Sequence, residues 1–74
     1  MIYAEIDGAK IGSKIKEMRN ERNETAEALA KSIGVSPSAI AMYEIGQRIP
    51  RDEIKIKIAE HFGVPVESIF FATA

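Results

Sequence analysis

The sequence predicts an all-α domain of five helices whose two ends pair as a short two-stranded antiparallel ribbon. Three observations lead there. Glycine and proline punctuate the chain at Gly8, Gly34, Pro37, Gly46, Pro50, Gly63 and Pro65. Between these marks the apolar residues recur mostly at helical spacing. At the ends, Ile2, Ala4 and Ile6 alternate with Tyr3 and Glu5, and Ile69-Phe70-Phe71-Ala72-Thr73 is rich in strand formers. A lone two-stranded ribbon is marginal, so it must pack on the helices or on a second subunit.

The first helix is expected to follow Asp7, a good N-cap, and to run to about Arg22, burying Ile11, Ile15 and Met18. Lys10, Lys14, Lys16 and Arg22 lie away from that stripe. A second begins at Thr25, again a capping residue, and ends at Gly34, with Ala26, Leu29, Ala30 and Ile33 inward. The third is capped by Ser36 and carries Pro37 at its first position, where a missing N–H costs nothing. It stops near Gly46. A fourth opens at Asp52 and closes at Gly63; Ile54, Ile58 and Phe62 line one side, and Ala59 with Ile56 widen the apolar arc. A short fifth starts at Pro65 and ends near Ile69.

The chain has 74 residues, enough for one domain spanning 1–74. A domain this short buries only roughly 60% of its unfolded surface. Disulfides, a metal or a partner subunit are the usual supplements. With no cysteine and His61 as the only histidine, disulfides are excluded and no metal is expected. Oligomerisation stands out, though well-packed helices can also suffice. No stretch approaches the ~20 apolar residues of a membrane span, and the start lacks the charge and length of a secretion signal. A soluble, cytoplasmic, nucleoid-associated bacterial protein is expected. Ten Lys and Arg against eleven Asp and Glu leave a net charge of −1. That is far from the basic balance of many nucleic-acid binders, although a dipolar protein can still present a basic face.

Residues 25 to 46 carry the functional signal. A short helix ends at Gly34, a tight Gly-Val-Ser turn follows, and another helix begins with Ser36-Pro37. Ala30 is small where two steeply crossing helices must touch, and Val35 can plug the angle between them. Ile40 and Tyr43 face the core. This is the layout of a helix-turn-helix, whose second helix enters the DNA major groove.

The run from Ile11 to Arg19, then Leu29-Ala30, Ile33-Gly34-Val35-Ser36, Ile40, Tyr43-Glu44 and Gly46, resembles the lambda-repressor/Cro-like (Xre) family. Pro50, Ile58-Ala59-Glu60, Phe62-Gly63-Val64 and Ile69-Phe70 continue the likeness. The stretch from Pro50 to Ile58 looks like regulators of phages and mobile elements in Gram-positive bacteria. The resemblance implies a five-helix lambda-repressor-like domain that binds double-stranded DNA, with no catalytic residues, cofactor or small-molecule substrate. It implies a salt bridge between Arg19 and Glu44, joining the first helix to the recognition helix. Thr25 and Ala26 match the start of helix two, where backbone N–H groups meet a phosphate. The family usually has Gln at the place of Ala26, so a side-chain contact is lost. Ser36, Pro37, Ser38, Ala39, Ala41 and Met42 fall on the implied recognition helix, and Gln47 and Arg48 on the backbone-contacting loop, with Arg51 close behind.

Taken at 100° per residue, Pro37, Ser38, Ala41, Met42 and Ile45 point outward. This face lacks the bidentate readers of guanine and adenine. Two explanations compete. Either Ala41 and Met42 pack on thymine methyls, Ser36 and Ser38 donate hydrogen bonds and the rest is shape readout, or the apolar face binds a protein. His61 reads as a solvated residue on the polar side of helix four, and Glu53, Lys57 and Glu60 as a solvated charged face. Tyr43 reads as a partly buried residue. No glycine-rich phosphate loop or nucleophile–base pair occurs.

One helix-turn-helix makes few contacts, so a symmetric homodimer is expected, with half-sites about one helical turn apart. Ile2, Tyr3, Ile69, Phe70 and Phe71 are its candidate anchors; alternatively they cap the monomer core. The leading function is a transcriptional repressor of a prophage or mobile element. The alternative is an antitoxin-like or adaptor module whose main partner is a protein.

Overall fold

The computed structural model describes residues 8–70. Five helices follow in order: α1 Gly8–Glu21, α2 Ala26–Ile33, α3 Pro37–Glu44, α4 Asp52–Phe62 and α5 Glu67–Phe70. No strand occurs among the described residues.

Each helix end has a local cause. Thr25 holds an extended conformation before α2, and its hydroxyl accepts the Ala28 N–H at 3.0 Å. Gly34 ends that helix at φ 76°, a left-handed conformation that side chains disfavour. Ser36 caps α3 through Ala39 N–H at 3.1 Å, with Pro37 in the first turn. Arg51 precedes α4 without a side-chain cap, and Asp52 and Glu53 place negative charge on the positive end of the helix.

The helices close around one core in which Ile15, Leu29, Ile40 and Ile58 are fully buried. Ile11 and Met18 of α1, Ala30 and Ile33 of α2, Ala39 and Tyr43 of α3, Ala59 and Phe62 of α4, and Ile69 and Phe70 of α5 complete it. Helix α1 comes so close to α3 that a Cβ on Gly12 would collide with the carbonyl oxygens of Tyr43 and Glu44.

Three expectations need correction. Ile56 is 51% exposed, and the place expected for it inside the α4 arc belongs to Lys55, 6% exposed. The arc is centred on Phe62, and Lys55, seven residues earlier, lies about 20° from it on the helix surface. The Lys55 stem lies against the core, and its ammonium sits 3.4 Å from Asp52 Oδ1 and 5.8 Å from the Phe70 ring centre.

The ribbon is the second. Ile69 and Phe70 are helical, with both amides donating to the Val66 carbonyl at 3.1 and 3.0 Å. Core packing overrides their strand propensity. The rest of the expected ribbon, residues 1–7 and 71–74, lies outside the described residues.

The third is the dimer anchors. Ile69 and Phe70 are each 4% exposed within a single chain, so the chain's own core occupies them. Ile2, Tyr3 and Phe71 lie outside the described residues, as does the expected cap Asp7.

Candidate nucleic-acid interface

The α2–turn–α3 unit is held together from inside. Gly34 reverses the chain after α2, and the Val35 amide donates to the Ala30 carbonyl at 3.0 Å. Val35 is half-buried against the core, and Ala30 is small enough to be fully enclosed. Ile40 and Tyr43 are buried on the inner side of α3.

The outer side of α3 is left largely uncovered by the described residues. Pro37, Ser38 and Ala41 are exposed, as is Ser36 at the cap, and Met42 is half-buried. Ile45, just past the helix, is 62% exposed. Ala39 faces the other way: at 8% exposure it belongs to the core, which leaves it no side chain to offer a groove. Its place follows from the 3.6-residue period, since it precedes Ile40 and lies four residues before Tyr43 on the same inner side. The Ser36 oxygen accepts the cap hydrogen bond, and its own proton remains available to a ligand.

Beyond α3, Gly46 at φ 80° turns the chain, and the Gln47 and Arg48 amides both donate to the Met42 carbonyl at 3.0 and 3.3 Å. Gln47, Arg48 and Arg51 are thereby presented on an exposed loop tied to the end of α3. At the start of α2, Thr25 is exposed and Ala26 half-buried, with Glu27 adding a negative charge in the first turn.

Arg19 and Glu44 meet in a bidentate pair, Nε donating to Oε2 at 2.7 Å and Nη2 to Oε1 at 2.9 Å. Nη1 donates to the Glu24 carbonyl at 2.7 Å, so one guanidinium ties α1, the α1–α2 turn and α3 together. The side chains are only 13% and 9% exposed. The hydrogen bond to Glu44 outweighs desolvation and holds the Arg19 guanidinium above its ordinary pKa. Such a fork fixes direction as well as distance, and here it aligns α3.

Sequence reasoning missed a second set. His61 is not a solvated side chain: its Nε2 lies 2.7 and 3.0 Å from the Glu24 carboxylate oxygens. Arg22 donates to the His61 and Phe62 carbonyls at 3.1 and 3.0 Å and sits 5.0 Å from the Phe62 ring centre. A signal for His61 existed, because it follows Ile54 by seven residues and falls at the edge of the apolar arc, not opposite it. Among the described residues no three His, Asp or Glu side chains converge as metal ligands would. No described helix is long and apolar enough to cross a membrane.

A capped, outward-facing third helix, joined to the second by a tight turn and clamped to the first, defines a helix-turn-helix protein of the lambda-repressor type. Residues 15–69 match the family described as HTH_3, helix-turn-helix. An uncharacterised HTH-type transcriptional regulator of Methanocaldococcus jannaschii is 43% identical over 58 residues, 78% of this chain and 88% of that protein. A cryptic phage CTXphi transcriptional repressor of Vibrio cholerae is 37% identical over 57 residues, 77% of this chain and 51% of the repressor. Among solved structures, the restriction-modification controller protein of Aeromonas hydrophila superposes with TM-score 0.81 at 26% identity, covering 86% of this chain and 97% of that one. The P22 c2 repressor bound to a synthetic operator shares the fold, with TM-score 0.78 at 23% identity over 81% of this chain and 91% of its own. The chain belongs to the helix-turn-helix family of DNA-binding transcription regulators.

Proposed function

We propose that this chain binds double-stranded DNA sequence-specifically, as a homodimer on a pseudo-palindromic operator, and represses transcription for a prophage or mobile element. The observation that carries the reading is the α3 face: exposed at Ser36, Pro37, Ser38 and Ala41, and held in direction by the Arg19–Glu44 fork. The likeness to a phage repressor from Vibrio cholerae and to P22 c2 in complex with its operator supports it. Gln47, Arg48 and the α2 amino terminus supply phosphate contacts, and α3 reads thymine methyls and groove shape. The chain acts by occlusion and performs no chemistry.

Selection from a random duplex pool tests this. The expected result is an enriched pseudo-palindrome with half-sites about one helical turn apart. An exposed outward residue such as Ala41, changed to Gln, alters the preferred base at one position of each half. No enrichment at low salt overturns the reading.

A second reading rests on Ile45, 62% exposed beside an apolar recognition face. In it the face docks a protein, as in an antitoxin-like or adaptor module. Salt separates the two, because operator affinity falls steeply as counterions are released, and affinity for an apolar protein partner does not.

A further inference from the structure

The turn between α1 and α2 is gripped from two directions. Toward α3, Arg19 binds the Glu24 carbonyl through Nη1 at 2.7 Å, and Glu44 through Nε and Nη2. Toward α4, the Glu24 carboxylate receives His61 Nε2 at 2.7 and 3.0 Å. An ionised carboxylate only accepts, so Nε2 carries the proton in this contact. The two side chains are 18% and 15% exposed, which spares the contact most of the competition from water. His61 and Arg19 thus hold the same residue, one by its carboxylate and the other by its backbone carbonyl, and Arg19 reaches on to Glu44 in the last turn of α3.

His61 is itself fixed. Arg22 grips its carbonyl at 3.1 Å, and its ring meets the Phe62 ring edge-on, 4.9 Å between centres at 88°. The residue it holds sits in a turn whose neighbour Asn23 takes a left-handed conformation at φ 54°. Locally the turn is closed by the Arg22 and Glu24 amides donating to the Arg19 carbonyl at 3.1 and 2.9 Å, and the side-chain contacts add to that closure. Without the imidazole, the Glu24 carboxylate loses its partner and becomes a rival to Glu44 for the adjacent Arg19 guanidinium.

We propose that His61 is a positioning residue for the recognition helix, acting through Glu24 and Arg19 to set the direction of α3. The proposal rests on reading α3 as the DNA-facing helix. It makes the end of α4 part of the machinery of a site that it does not touch.

The test compares wild type, His61→Ala and His61→Gln by nitrogen-15 NMR, following solvent exchange of the Arg19 Nε–H. The buried Leu29 amide, bonded to the Thr25 carbonyl at 3.1 Å, reports global opening in the same sample. In His61→Ala, Arg19 Nε–H exchange is expected to rise about tenfold relative to the Leu29 amide, and affinity for the selected operator to fall about fivefold. Gln places an amide donor near the position of Nε2 and restores both to within about twofold of wild type. Should His61→Ala not fold, His61→Leu retains much of the volume without a donor and gives the same comparison. Arg19 and Leu29 exchange changing in step, or no rescue by Gln, overturns the proposal. The exchange measurement needs no DNA. If Arg19 responds while wild type retains no duplex, the DNA-binding reading fails and the positioning role stands. If wild type binds its operator and Arg19 does not respond, the reverse holds.

Discussion

Gly12 shows how one missing side chain can decide where a helix packs. In an isolated helix, alanine is favoured over glycine by about 1 kcal/mol. At Gly12 the sign reverses, because the added methyl would meet the carbonyl oxygens of Tyr43 and Glu44. Gly12→Ala is expected to destabilise by about 2 kcal/mol, read from the urea midpoint. The Arg19–Glu44 pair acts at the same junction. Glu44→Gln keeps the shape and removes the charge, and should cost about 2 kcal/mol of stability with a weakened operator affinity. The Arg19 pKa is raised in the folded chain. Its contribution is therefore complete below the unfolded value and is lost only as pH rises through the folded one. Thermal stability over roughly pH 7 to 9 should show no step from this pair, and a step there that vanishes in Glu44→Gln would contradict the assignment.

At the scale of the element, the caps are the part of the fold that short-range chemistry dictates. Ser36→Ala removes the acceptor for the Ala39 N–H and should cost about 1 kcal/mol by thermal unfolding. Thr25, Gly34, Ser36 and Pro37 were legible because each does its work within three or four residues of itself. The buried stripes of α1, α2 and α3 were legible because a period of 3.6 leaves little choice once the ends are set. Ile56 and His61 were misplaced for one shared reason. Both were placed by polarity, whereas their angular positions on α4 put Ile56 outside the apolar arc and His61 beside it. The Ile69-Phe70 pair was misread as strand because β-propensity reports how well a residue fits a half-buried surface, and here that surface is the helical core. Of the candidate site, the outward side of α3 follows from the wheel, and Ala39 is the residue that the wheel itself excludes. The Glu24–His61 contact joins residues 37 apart, a separation on which local pattern is silent.

For the whole molecule, the burial of Ile69 and Phe70 separates folding from assembly. Phe70→Leu should lower stability by about 1 kcal/mol, a fall in Tm of roughly 4–8 °C for a domain of this size. The dissociation constant of the proposed homodimer, measured by sedimentation equilibrium, should stay unchanged. A weakened dimer with an unchanged Tm would return Phe70 to the interface.

Arg22 ties the two halves of the chain in a way that bears on how it comes apart. The last carbonyls of a helix have no partners within it, and those of His61 and Phe62 are met by a guanidinium 39 and 40 residues upstream. The Gly63 and Val64 amides meet the Glu60 and Ala59 carbonyls locally, so the last two carbonyls of α4 are the ones completed from the α1–α2 turn, and that turn cannot detach without stripping them. Melting should be a single all-or-none event, with the calorimetric and van't Hoff enthalpies equal, and no half-molecule surviving as a separately stable fragment.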